Sequence, residues 1–200
     1  MKINYQLETD RITKELQGHP SLLLQSCCGP CSSYVIEYLR QYFEVTVLYY
    51  NPNIQPREEY EKRLATQKQL IAAMCPQVPL IEVGWDGGAF DEIAAGYEAE
   101  PEGGARCTRC FLLRLERTAQ LAAEKGFDYF TTTLTVSPHK DAQRINAIGL
   151  ALAEKYGSRW LPADFKKREG YKRSIALSTQ YELYRQDYCG CMYSKAPLKD

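Results

Sequence analysis

The sequence predicts an α/β fold, a mainly parallel sheet flanked by helices and followed by a C-terminal helical extension. Three observations predict it. Short runs rich in apolar and β-branched residues alternate with segments of helical period, the pattern of βαβ units joined by right-handed crossovers. Gly or Pro stands at many of the changeovers, as at Gly126, Gly157 and Pro52. The length of 200 residues fits a single domain over 1–200, and a chain of that size buries roughly 70% of its unfolded surface without disulfide staples.

Each element follows in order. Residues 1–20 read as an N-terminal helical segment, charged throughout and unlike a signal peptide. "SLLLQSC" (21–27) is a buried strand ending at Gly-Pro, and "SSYVIEYLRQYF" carries Val35, Ile36, Leu39 and Phe43 at helical spacing. "EVTVLYYNP" is a second strand closed by Asn51 and Pro52. The next helix begins near Pro56, with acids in its first turn. "VPLIEVGW" is a third strand and "GAFDEIAAGY" a short helix. "TRCFLLRLERTAQLAAEKG" is a long amphipathic helix stopped by Gly126, "FDYFTTTLTV" a fourth strand, and "DAQRINAIGLALAEKYG" a helix stopped by Gly157. Residues 158–200 form the extension: a looser stretch, a helix-like "YKRSIALSTQYELYRQDY", then "CGCMYS".

Parallel sheets of this kind bind ligands beyond the carboxyl ends of their strands. Cys27 and Cys28 stand where the first strand ends, and "SPHKD" where the fourth ends, so both can face one crevice. Charge adds no global argument for nucleic acid, because 25 basic and 25 acidic residues cancel. No apolar run approaches the roughly 20 residues of a membrane helix. A soluble, cytoplasmic protein without membrane partners is expected.

Cysteine placement is the strongest signal. Seven of the 8 cysteines fall in three groups, Cys27/Cys28/Cys31, Cys107/Cys110 and Cys189/Cys191. In a reducing compartment, close-spaced cysteines point to metal ligation or redox work. "CGPC" (28–31) spells a thioredoxin-like tetrapeptide, but the chain is about twice as long as a thioredoxin and has further cysteine groups. Cys107 and Cys110 at a helix start could join Cys27 and Cys28 around a [4Fe–4S] cluster, where helix N–H groups favour negative charge. Four thiolates suit structural zinc as well. Adjacent ligands such as Cys27 and Cys28 are unusual in zinc ribbons and tilt the balance slightly toward the cluster. A disulfide between Cys189 and Cys191 closes a very small strained ring, which suits labile redox chemistry; two free thiols on a tail are the plainer reading. Cys31 is open between ligand, redox partner and small hydrophobe, and Cys75 reads as packing.

Five motifs in order, "CCGPCSS", "YYNPNIQPREEYEKR", "RCTRCFLLRLERTA", "FTTTLTVSPHKD" and "EGYKRSIALSTQYELYRQDYCGCMYS", resemble the cobalamin-independent epoxyqueuosine reductases, the QueH family, over about residues 21–194. That resemblance implies a Rossmann-like fold of the nucleotide hydrolase group. It also implies two-electron removal of the epoxide oxygen from epoxyqueuosine at the tRNA wobble position, without a corrinoid. The family's [4Fe–4S] ligands fall on Cys27, Cys28, Cys107 and Cys110, and its redox-active pair on Cys189 and Cys191. An additional iron is associated with the family. Cys31, Asp141 and the Cys189/Cys191 pair are candidate ligands by position. An external electron donor is required.

Three further features have plain readings beside the functional ones. His139 is a loop histidine or a proton donor to the leaving oxygen. Asp141 can simply cap the following helix. Lys166, Lys167, Arg168, Lys172 and Arg173 form a solvated charged face or, with a tRNA substrate, a phosphate contact. The competing functions are a general dithiol oxidoreductase, without iron, and a zinc-stabilised RNA-binding module, without turnover.

Overall fold

The computed structural model describes residues 2–195; Met1 and 196–200, the end of the expected extension, lie outside the described residues. Five parallel strands form one sheet in the order β3-β2-β1-β4-β5. They are β1 (Ser21–Gln25), β2 (Glu44–Tyr49), β3 (Leu80–Glu82), β4 (Tyr129–Thr132) and β5 (Arg159–Trp160). The helices are α1 (Tyr5–Glu15), α2 (Gly29–Leu39), α3 (Arg57–Met74), α4 (Gly87–Ala94), α5 (Ala105–Lys125), α6 (Ala142–Tyr156) and α7 (Gly170–Gln180). The expected α/β architecture is therefore present.

β1 is central, and its Leu22, Leu23 and Leu24 are fully buried because helices cover both faces of the sheet. Alternation divides them. Leu22 and Leu24 join Val35, Ile36, Leu39 and Leu70 from α2 and α3 on one side. Leu23 joins Leu115, Ala119 and Ile145 from α5 and α6 on the other. Gly126 and Gly157 end α5 and α6 in the left-handed conformation, at φ of 70° and 69°.

Strand order reverses about β1, with β2 on one side and β4 on the other. The ends of β1 and β4 thus flank a switch-point crevice, where α/β sheets bind ligands. Two local differences from the sequence reading matter. The fourth strand stops at Thr132, and Thr133–Val136 turn as a 3-10 helix. The looser stretch after Gly157 contains β5, whose two residues are too short to leave a periodic pattern. No helix among the described residues is long and apolar enough to cross a membrane.

Candidate active site

The turn after β1 is held by buried polar groups. Ser26 and Ser32 hydroxyls lie 2.6 Å apart, and both donate to Gln67 Oε1 of α3, at 2.7 and 2.8 Å. Asn51 Nδ2 donates to the Ser26 carbonyl at 2.9 Å. Cys27 N–H donates to Thr133 Oγ1 at 3.0 Å, which ties the turn to the end of β4. Gly29 lets α2 approach α3: a Cβ there would sit 2.9 Å from Thr66 Cγ2 and from its carbonyl oxygen. Cys28 is the N-cap of α2 and Cys31 lies in its first turn, so both side chains return to the helix start. The sulfurs of Cys27, Cys28 and Cys31 lie within 4.8 Å of one another, a three-thiol group able to hold a metal ion.

A second set comes from α5 and the C-terminal segment. Cys107 and Cys110 are buried in the first turns of α5, and Gly103 N–H donates to Cys107 Sγ at 3.2 Å. Cys107 belongs to the apolar cluster against which Cys27 packs. Cys110 shares a smaller cluster with Cys191, Phe90 and Ala94. Cys189 faces Lys140, whose ammonium donates to its sulfur at 2.8 Å. Gln186 Nε2 donates to Cys28 Sγ at 3.0 Å, linking the C-terminal segment to the first cysteine group. All eight cysteines are free thiols.

Between these sets opens a cleft of about 340 Å³, lined by Cys27, Cys31, Cys189, His139, Lys140 and Arg114 among others. The fold thus brings the strand-end cysteines, the "SPHKD" loop and the Cys-Gly-Cys segment to one place, at the switch point. His139 is exposed at the cleft. Asp141 caps α6, accepting from Gln143 N–H at 2.9 Å and Arg144 N–H at 3.3 Å. Four residues of the basic run face carboxylates: Lys166 pairs with Asp164, Arg168 with Asp10, Lys172 with Glu169 and Arg173 with Glu37.

Three cations with little exposure line the cleft, Arg63, Arg114 and Lys140, and none was singled out by the sequence. Arg114 is 2% exposed; it donates to Asn51 Oδ1 at 2.6 Å, while its Nε has no partner. No carboxylate pairs with it among the described residues. An unpaired buried charge is costly, so the position calls for negative charge nearby. Lys140 is 10% exposed and reaches Glu102 at 3.5 Å. Burial works against its ammonium, but the facing Cys189 sulfur and Glu102 outweigh burial and raise its pKa. Within the thiol trio, hydrogen bonds from Cys28 and Cys31 hold Cys27 well below the usual thiol range, with Arg114 assisting. Cys28 is pushed up to about 12, first by its hydrogen bond to Cys27. Burial pushes Cys110 up to about 12 and raises Cys107 as well. Arg114 stands four residues after Cys110, one turn along the same face of α5, a placement that the letters alone do not single out.

Residues 22–197 match the family model described as epoxyqueuosine reductase QueH. The chain is 42% identical over 200 residues to the epoxyqueuosine reductase QueH of Streptococcus pyogenes, covering 96% of this chain and 78% of the relative. It is 41% identical to that of Staphylococcus epidermidis, covering 96% and 85%. Identity to the Staphylococcus aureus protein of the same description is 40%, with 96% and 84% covered.

Proposed function

The chain belongs to the QueH family of epoxyqueuosine reductases and is an oxidoreductase, and on that premise we propose that it deoxygenates epoxyqueuosine at a tRNA wobble position. In this reading Cys27, Cys28, Cys107 and Cys110 hold a [4Fe–4S] cluster, and Cys189 and Cys191 are the redox pair. The observation that carries it is the shared cleft, where Cys27, Cys31 and Cys189 meet Arg63, Arg114 and Lys140. Those residues fit an anionic metal–thiolate group. The donors are soft sulfurs, and Arg114 has an orphaned buried Nε and no carboxylate. Cys31 shares the trio and is a candidate ligand for an additional iron; Asp141 is a second candidate, with its carboxylate engaged at the α6 cap.

When bound, such a group supplies one-electron chemistry and, at an iron with an open position, Lewis acidity toward the epoxide oxygen. The chain's own residues supply the rest. Epoxide and dithiol balance as alkene, water and disulfide: two S–H bonds and two C–O bonds break, while an S–S bond, two O–H bonds and a C=C π bond form. An external reductant then restores the dithiol. Lys140 donates to Cys189 Sγ at 2.8 Å and so orients that sulfur at the cleft. His139, at the exposed part of the cleft, is the proposed proton donor to the leaving oxygen. Lys167 and its paired neighbours Lys166, Arg168, Lys172 and Arg173 are proposed tRNA contacts, joined by the exposed cations Lys62, Arg185 and Lys195.

The test is an anaerobic preparation with iron and sulfide quantified, then supplied with reductant and epoxyqueuosine-tRNA. Sulfide with iron in at least equal amount, the excess reporting an additional iron, and queuosine formed, is the expected result. Zinc in their place and no product would overturn the proposal. Replacing both Cys189 and Cys191 by Ser is expected to abolish multiple turnover; unchanged turnover would remove the dithiol from the scheme.

A further inference from the structure

The Cys-Gly-Cys segment is fastened rather than loose, and its fastening comes from α3. Arg63 is 2% exposed, and its guanidinium donates to the Cys189 carbonyl at 3.1 Å and the Tyr188 carbonyl at 3.3 Å. Its third side, Nε, pairs with Glu59 at 2.6 Å. The Tyr184 hydroxyl donates to the same carboxylate, at 3.1 Å to the nearer oxygen. The next carbonyl, that of Gly190, accepts from Gln55 N–H at 2.9 Å, and Tyr188 OH donates to the Gln55 carbonyl at 2.6 Å. Three consecutive carbonyls, 188 to 190, are therefore captured by α3 and the loop that leads into it. Gly190 has φ of 128°, and a Cβ there would stand 3.2 Å from the Arg63 NH1 nitrogen. The loop lies directly on the guanidinium, which no larger residue permits without a shift.

We propose that Arg63, oriented by Glu59, is a positioning residue that clasps the backbone of residues 188–190 and so holds Cys189 toward the cleft and Cys191 toward Cys110. Its hydrogen bonds to the segment go to the carbonyls and not to the sulfurs, and its guanidinium also lies 5.0 Å from the centre of the Tyr188 ring. A planar fork is needed because three acceptors lie around one group, a geometry that an ammonium on a single stem does not reproduce. The clasp also accounts for an arginine buried on a helix facing a cysteine segment more than a hundred residues away. The inference rests on the reading of Cys189 and Cys191 as the redox pair, but its physical part is tested without activity.

The experiment compares the full chain, anaerobic and reduced, with Arg63→Met, Arg63→Lys and Gly190→Ala. Cysteine alkylation by iodoacetamide is followed site by site by mass spectrometry. Cys191 is 5% exposed and Cys75 is fully buried in the core formed with α2 and α3, so Cys75 reports global opening. In Arg63→Met, loss of charge-assisted hydrogen bonds is expected to speed Cys191 alkylation by at least about tenfold with Cys75 unchanged. Gly190→Ala should act likewise from the loop side, and Arg63→Lys should recover part of the protection. With epoxyqueuosine-tRNA, Arg63→Met is expected to lower kcat about tenfold with KM held within about twofold, because an interaction with the reacting group's support is lost and substrate binding is not. Unchanged Cys191 protection, Cys191 and Cys75 opening together, or an undiminished kcat each overturn the clasp. A wild-type chain that turns over no epoxyqueuosine overturns the functional reading instead, and the alkylation result still decides the clasp.

Discussion

Arg114 and Lys140 show at the residue scale what a one-letter code conceals. The cysteines were legible because their spacing is their signature, and the cleft is lined by Cys27 and His139, from the two strand ends expected to face it, together with Cys31 and Cys189. A buried cation has no such signature. In "LLRLERTA", Arg114 is 2% exposed while Arg117 pairs with Glu124 at the surface, and nothing in the letters separates them. Only packing does: Arg114 falls on the α5 face shared with Cys107 and Cys110, against Asn51. Its charge has a direct consequence. Reduction adds an electron to an already anionic thiolate-bound group, and a nearby positive charge stabilises the added electron. Arg114→Gln, which keeps length and polarity but removes the charge, is therefore expected to lower the midpoint potential of the proposed cluster with iron content retained. Arg114→Lys should move it less. An electron-paramagnetic-resonance redox titration reads both, and a midpoint unchanged in the Gln variant would place the cluster away from Arg114.

Apart from the two-residue β5, elements were legible in type but not at their ends, and the ends place the chemistry. "FDYFTTTLTV" reads as one strand, yet pairing stops at Thr132 because its hydroxyl is engaged locally: it accepts from Leu134 N–H at 3.2 Å and donates to Gln25 Oε1 at 2.7 Å. That diversion starts the 3-10 turn and brings the Thr133 hydroxyl to the backbone and sulfur of Cys27. At the opposite end of the same strands, Asp128 accepts from Ser21 N–H at 3.0 Å and Ser21 Oγ at 2.9 Å, and pairs with Arg159 at 3.1 Å. It joins β1, β4 and β5 before their first pairs. Hydrogen bonds from Ser21 hold its carboxyl below the usual range, with Arg159 assisting. Asp128→Ala is expected to cost about 1 kcal/mol at pH 7, mostly from the Ser21 bonds, since an exposed ion pair adds little. A carboxyl whose folded pKa is depressed contributes stability above its unfolded value, near 3.9, and loses it as pH falls through the lower folded value. The gap between wild type and variant in urea denaturation should therefore shrink from pH 7 toward pH 3 and below. A gap that widens on acidification would reverse that assignment.

Across the whole molecule, balanced charge leaves recognition of a polyanion to local arrangement, and the arrangement differs from the linear run. Sequence proximity made residues 166–173 look like a basic patch, but folding sets Asp164, Asp10, Glu169 and Glu37 against four of the five cations. Asp164 flanks the run and Glu169 lies within it, while Asp10 and Glu37 come from α1 and α2, a neutralisation that only the assembled fold reveals. Nearer the cleft, exposed cations meet aromatic faces instead. Lys62 lies over the Tyr184 ring at 3.6 Å, Lys195 lies 5.6 Å from the Tyr188 ring, and exposed Arg185 lines the cleft. A tyrosine face leaves the cation its full charge, and the ring itself can stack on an unpaired base. Phosphate contacts should thus weigh toward Lys62, Arg185 and Lys195, with Lys167 the one residue of the run that has no carboxylate partner among the described residues. Replacing those three by Gln is expected to flatten the slope of log K against log salt for tRNA binding by about 2, at roughly 0.7 per single-strand contact. Replacing Lys172 and Arg173 should change it by less than about half as much, because their carboxylates already screen them. Filter binding over a salt series measures both. A steeper loss from the Lys172 and Arg173 variant would mean that those ion pairs open on binding and that α7 is the docking face.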